Sequence, residues 1–185
     1  TDARTLVVSD NGIGMSREEV MRDIGTIARS GSRKFLAALK EKQGDAGGEG
    51  RAAATADLIG QFGVGFYSSF MVSEKVVLVT RRAGKKSAIR WESGGKGDYT
   101  IDRAERESSG TTITLHLLPA DKEQGVEDFA DEHVVTTIVH RYSDFIAYPI
   151  VLKTKDEDKT LNSMKPIWER PVSEVTDDEY AEFYK

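Results

Sequence analysis

Apolar and polar positions alternate in short runs over much of this chain, and helical spacing is confined to a few stretches. Thr5-Leu6-Val7-Val8-Ser9 is a β-branched run that ends on Asp10 and predicts a buried strand. Ser16-Arg17-Glu18-Glu19 has the form of a capping box, so a helix is predicted from about Arg17 to Ile24, interrupted at Gly25. A second helix, capped by Ser32, carries Phe35, Leu36 and Leu39 on one face. Residues 43 to 55 are rich in glycine and alanine, with almost no apolar anchors. Little there offsets the entropy of ordering, and a mobile segment is predicted. A glycine turn at 60–65 feeds a helix to about Val72.

Strands are predicted at Lys75–Arg81 and Ser87–Glu92, joined by a turn near Gly84. Two more follow at Tyr99–Arg103 and Thr111–Leu118, separated by a polar run. A helix from about His133 to Ile146 has Val134, Ile138, Tyr142 and Phe145 near helical spacing. A last strand is predicted at Tyr148–Leu152, with Pro149 favouring an edge or a strand start. Lys153 to Thr160 is charged and predicts a linker, and a final helix starts at Asp177. Helices followed by a run of strands favour an α+β, two-layer sandwich: one mixed, mostly antiparallel sheet covered by helices on one face.

Composition narrows the chemistry. The net charge of −5 argues against a general nucleic-acid binder, since no basic face is evident. The absence of cysteine excludes a disulfide framework and thiolate chemistry and fits a reducing compartment. No apolar run is long enough to span a bilayer, and the first residues do not resemble a signal peptide, so a cytoplasmic protein without membrane contact is expected. The chain begins at Thr1 without a methionine, as expected of a piece of something longer.

Two glycine motifs carry the candidate chemistry. Gly60, Gly63 and Gly65 punctuate apolar residues just before a predicted helix. Such a turn turns backbone N–H groups outward, a geometry that suits a phosphate chain. Alone it is equally a tight turn before a buried helix. Upstream, Asp10-Asn11-Gly12-Ile13-Gly14-Met15 sets a carboxylate at a strand end, partly desolvated and in need of a donor. The exocyclic amine of adenine is such a donor, whereas guanine presents an acceptor there. A plain strand-end turn has the same form. Arg17 stands where a Rossmann fingerprint wants a third glycine, and there is no P-loop string. The three histidines show no metal-ligand spacing, and Trp91 and Trp168 read as packing residues.

Asp10 to Met15, Gly25-Thr26-Ile27-Ala28-Arg29-Ser30-Gly31 and Ile59 to Ser68 together resemble the ninety-kilodalton heat-shock chaperone family in its bacterial HtpG branch. Other members of the gyrase, histidine kinase and MutL superfamily share the D-x-G-x-G idea but not these full strings. The resemblance runs on through Gly110-Thr111, His140 to Pro149, and Glu179 to Lys185. It implies a Bergerat-type ATP-binding fold at 1–154 lacking its first helix and strand, a charged linker at 155–165, and the start of a middle domain at 166–185.

For the site, the resemblance implies that Asp10 binds the adenine amine, with Gly14 and Thr111 holding a bridging water. Met15 and Phe66 contact base and ribose, and the backbone of Gly60, Gln61, Phe62, Gly63, Val64, Gly65 and Phe66 cradles the phosphates. Residues 25 to 62 correspond to an ATP lid, with Arg29 and Ser30 on it. Asp23 and Arg29 depart from the residues usual in relatives, and Asp23 is expected at the rim. The general-base glutamate and the asparagine that holds magnesium are expected upstream of Thr1, so no catalytic residue is expected in this chain, and Glu18 and Glu19 read as a solvated helix start. The implied function is an ATP- and ADP-binding, ATP-hydrolysing chaperone, homodimeric as a full-length protein and acting on unfolded clients. A non-catalytic nucleotide-binding or interaction module stands as the alternative for this chain alone.

Overall fold

Alternating apolar positions after Val72 produce a sheet whose centre is β2, Ser73–Arg81. In the structure, a computed structural model, the described residues are 4–25, 64–121, 123, 126–154, 157–169, 171, 173, 175–177, 180 and 181. They fall into two units, Thr1–Pro119 and Ala120–Lys185.

The first unit holds β1 (Thr5–Ser9), β2, β3 (Ala88–Ser93), β4 (Thr100–Ala104) and β5 (Gly110–Leu117). They form one sheet in the order β1-β5-β2-β3-β4. Every pairing between these strands is antiparallel, where a mixed sheet was expected. Val76, Leu78 and Thr80 alternate along β2 with their side chains buried, and Ala88, Ile89, Trp91, Leu115 and Leu117 complete the core from the neighbouring strands. This inward set has the period of two that a pleated strand imposes.

The strand at Thr5–Ser9 forms where expected but is not buried. It lies at the sheet edge with β5 as its one neighbour, and Val7 and Val8 are 55% and 56% exposed. An edge strand is covered only where another element packs on it, so its β-branched composition fixed the strand but not its burial.

The capping box at Ser16 closes as the sequence requires: Glu19 N donates to Ser16 Oγ at 3.3 Å and Ser16 N donates to Glu19 Oε2 at 2.8 Å. The helix it starts, α1 (Arg17–Glu19), passes at once into a π-helical turn, Val20–Ile24, closed by Gly25 N donating to Val20 O at 3.0 Å. After the glycine turn the helix is a 3₁₀ helix, Gly65–Met71. Ser68 and Ser69 donate back to the carbonyls of Gly65 and Phe66, each at 2.6 Å. Serines that bond the preceding turn compete with regular α-helical pairing. Phe66, Phe70 and Tyr99 gather around Trp91, with ring centroids 5.6, 6.5 and 5.9 Å from it. Trp91 is thus a packing residue, as expected.

The second unit contains α2 (Glu132–Ser143), capped by Asp131 through a 2.7 Å bond from His133 N, and the hairpin β6 (Val151–Lys153) with β7 (Asp158–Thr160). The predicted strand at 148–152 is displaced to 151–153. Asn162 is the reason: its Oδ1 accepts from Ile150 N at 2.7 Å and its Nδ2 donates to Ile146 O and Tyr148 O, each at 2.9 Å. The side chain takes the backbone groups a strand would use, and Pro149 offers no N–H. Part of the segment read as a linker is therefore ordered: β7 lies in it, and Leu161 and Asn162 are buried. A helical turn at Asp177 begins with Tyr180 N donating to Thr176 O at 3.1 Å.

Candidate functional site

The ladder of β1 and β5 does not stop at Ser9. Asp10 N donates to Thr111 O at 2.8 Å, which carries Asp10 to the end of β5. Its carboxylate then folds back, and Oδ1 accepts from Gly12 N at 2.8 Å and from Thr111 N at 3.0 Å. The first bond is an Asx turn. Oδ2 takes no hydrogen bond among the described residues. Asp10 is exposed, which corrects the expectation of partial desolvation: it follows an edge strand and is open to solvent.

Two glycines let this loop lie against the strand ends. Gly14 has φ +63°, and a Cβ there would sit 2.0 Å from Arg81 O. Gly110 has φ +116°, and a Cβ there would sit 2.3 Å from Asp10 O. Neither position accepts a side chain without displacing backbone, because the left-handed conformation and the close approach both demand glycine.

Beneath the loop lies a hydroxyl pair. Thr80, 0% exposed, accepts from Met15 N at 2.9 Å, donates to Gly110 O at 3.1 Å, and stands 3.1 Å from Thr111 Oγ1. Two arginines brace the surroundings. Arg106 donates to Asp10 O at 2.9 Å and to Ser109 O at 2.7 Å, stapling the turn before β5 to the end of β1. Arg82 donates to Gly14 O at 3.1 Å and forms an ion pair with Glu19 at 3.5 Å.

Of the residues predicted for the site, Asp10, Gly14, Met15 and Thr111 are brought together by these bonds. Asp23 lies on the π-helical turn, its carboxylate paired with Arg22 Nε at 2.7 Å; that bond also raises the Arg22 pKa. Val64 and Gly65 are exposed at the start of the 3₁₀ helix. The Phe66 ring stands edge-on to Tyr67, Phe70 and Trp91, with centroids 5.7, 6.3 and 5.6 Å away. Arg29, Ser30, Gly60, Gln61, Phe62 and Gly63 lie outside the described residues, as does the segment 43–55. The π-helical turn and the 3₁₀ helix are joined by Tyr67, whose hydroxyl donates to Ile24 O at 2.7 Å and whose pKa is raised by burial. Glu18 is a solvated helix-start residue, its pKa lowered by a backbone hydrogen bond and by Ser16.

Thr80, Arg82 and Arg106 are functional candidates that the sequence reading missed. Thr80 had a signal: it falls on the inward phase of β2 with Val76 and Leu78, where a buried hydroxyl requires partners. The arginines had none, because their partners lie at the far ends of other elements. Among the described residues no three of His, Cys, Asp and Glu converge to hold a metal ion. These residues do not fit magnesium, and the family resemblance puts its ligand upstream of Thr1. Among the same residues no helix is long and apolar enough to cross a membrane.

An antiparallel sheet whose edge strand ends in a glycine-braced aspartate over a threonine pair defines a nucleotide-site architecture, and comparison with known proteins gives its class. The chain belongs to the HtpG/Hsp90 branch of the histidine kinase-, DNA gyrase B- and HSP90-like ATPases, whose family model matches residues 1–115, while that of the Hsp90 protein matches residues 151–185. Chaperone protein HtpG of Salinispora tropica is 52% identical over 194 residues, covering 100% of this chain and 29% of that protein. Its namesake from Streptomyces coelicolor is 51% identical over 197 residues, covering 100% and 30%. The one from Mycobacterium tuberculosis H37Rv is 48% identical over 202 residues, covering 99% and 30%. The chain thus spans about three-tenths of the length of the curated relatives it matches.

Proposed function

We propose that this chain is the nucleotide-binding part of a cytoplasmic, ATP-dependent chaperone, and that Asp10 recognises the amine of adenine through Oδ2. The observation that carries this is the division of labour within one carboxylate. Two backbone N–H groups fix Oδ1 and so orient the group, while Oδ2 is left to accept from a ligand. A guanine carbonyl there would face a carboxylate, acceptor to acceptor. Gly14 and Thr111 line the same place, and Met15 is held beside it through Thr80. The backbone at 60–66 binds the phosphates, residues 25–62 form the lid, and Arg29 and Ser30 act from it, with Asp23 at the rim. Magnesium accompanies ATP on a ligand upstream of Thr1. In the full-length homodimer, hydrolysis and lid closure act on unfolded client proteins. The domain takes the Bergerat two-layer form, with helices on one face of the sheet, over residues 1–154. Residues 155–165 connect it to a middle domain beginning at 166.

The test is calorimetric titration of ADP into the full-length protein and its Asp10→Asn variant. Loss of a charged hydrogen bond is expected to weaken binding by about 1.5–3 kcal/mol. Unchanged affinity would remove Asp10 from adenine recognition.

A second reading, a binding module without catalysis, applies to this chain alone. It is favoured by the engagement of the carboxylates nearest the site: Glu19 in the capping box and with Arg82, Asp23 with Arg22. A general base must be free to take a proton from water. Steady-state ATPase of the chain should be at background beside the full-length protein. Turnover equal to that protein, abolished by Asp23→Asn, would place the base in this chain.

A further inference from the structure

We propose that Thr80 is a positioning residue for base selection: it sets the direction of the Thr111 hydroxyl, so that Thr111 Oγ1 faces the ligand as an acceptor. The inference deepens the adenine reading above and rests on it. A threonine hydroxyl has one proton to donate and two lone pairs to accept with. Thr80 Oγ1 has three partners within reach: Met15 N at 2.9 Å, Gly110 O at 3.1 Å and Thr111 Oγ1 at 3.1 Å. Met15 N can only donate, which uses one lone pair. Gly110 O can only accept, and a buried carbonyl left without a donor is costly, so it takes the Thr80 proton. The remaining lone pair of Thr80 then accepts from Thr111, and the Thr111 proton points inward along the cross-strand pair of β2 and β5.

What Thr111 offers outward is therefore a lone pair. The Thr111 N–H is already given to Asp10 Oδ1 at 3.0 Å, so this end of β5 presents no donor of its own to a ligand. Asp10 Oδ2 and Thr111 Oγ1 form a surface of acceptors. It takes an amine directly, or a water whose second proton then reaches the acceptor ring nitrogen beside that amine. Adenine matches both. Hypoxanthine, with a carbonyl and an N–H at the same two positions, matches neither. Thr80 touches no ligand in this account and acts through Thr111 alone.

Removing the Thr80 hydroxyl frees Thr111 to rotate and donate outward, which changes selectivity rather than affinity at large. The experiment titrates ADP and inosine diphosphate into the full-length protein by calorimetry, for wild type, Thr80→Val, Thr80→Ser and Thr111→Val. Thr80→Val is expected to narrow the preference for ADP over inosine diphosphate by roughly fivefold to tenfold, one hydrogen bond changing sign. Thr80→Ser, which keeps the hydroxyl, restores the wild-type ratio. Should Thr80→Val not fold, Thr111→Val reads the same assignment from the other side: ADP weakens while inosine diphosphate binds as before or more tightly. A role limited to stability would weaken both nucleotides equally, and that result, or an unchanged ratio in Thr80→Val, overturns the proposal. A wild-type protein that binds no ADP overturns the nucleotide reading itself and this inference with it, whereas intact ADP selectivity with an indifferent Thr80 overturns the inference alone.

Discussion

The loop after β1 and the 3₁₀ helix before β2 belong to one unit and are held by opposite means. The loop is fixed by direction: Asp10 Oδ1, Thr80, Arg106 and Arg82 each meet named backbone atoms at 2.8 to 3.1 Å. The helix is fixed by bulk: Phe66 and Phe70 stand edge-on to Trp91, and Tyr67 supplies a polar tie to Ile24. Hydrogen bonds lose strength steeply with angle, so the loop has one arrangement that satisfies its groups. Aromatic contacts are broad in geometry and stabilise by the area they bury. The site thus has a rigid wall that reads a base and a softer wall that follows it.

The largest effect that breaks this comparison is Trp91→Ala. Emptying the centre of the ring cluster should cost about 3–5 kcal/mol of stability, measured by denaturant unfolding. Because the Asp10 loop makes none of the ring contacts, ADP affinity at low denaturant should change far less than stability. A loss of affinity with no loss of stability would show that the two walls are not independent.

A smaller and sharper test is Tyr67→Phe, which removes the tie to Ile24 O and should cost about 0.5–1.5 kcal/mol. Its pH dependence follows from burial, which raises the Tyr67 pKa above its ordinary value of 10.0. A group whose pKa is higher folded than unfolded holds its proton more tightly when folded. Its contribution is therefore complete below the unfolded value and lost as pH rises through the folded one. The stability gap between wild type and Tyr67→Phe should be constant from pH 7 to 9 and close above pH 10. A gap that widens with alkaline pH would contradict the assignment.

How much of this was legible in the sequence depends on how local each feature is. The capping box at Ser16 and Glu19 spans four residues and formed as read. The strands β2 to β5 follow from alternation, since each inward set sits on its own strand. The exposure of β1 was not legible, because its place at the edge depends on pairing with β5 more than a hundred residues later: Val7 faces Thr114. The same distance hid the site's supports. Asp10, Gly14 and Thr111 could be named from motifs, and the bonds unite them. Nothing local links Arg106 to the carbonyl of Asp10, or Thr80 to the amide of Met15. Asn162 shortened β6 by the same kind of long reach.

The central claim is that the open oxygen of Asp10 receives the adenine amine, and a thermodynamic cycle tests it most directly. ADP and its analogue bearing hydrogen in place of the amine are titrated into the wild-type protein and the Asp10→Asn variant. The account predicts that wild type prefers ADP, that the variant discriminates much less, and that the coupling between amine and carboxylate is about 1.5–3 kcal/mol. Equal discrimination by both proteins, with coupling near zero, would contradict it.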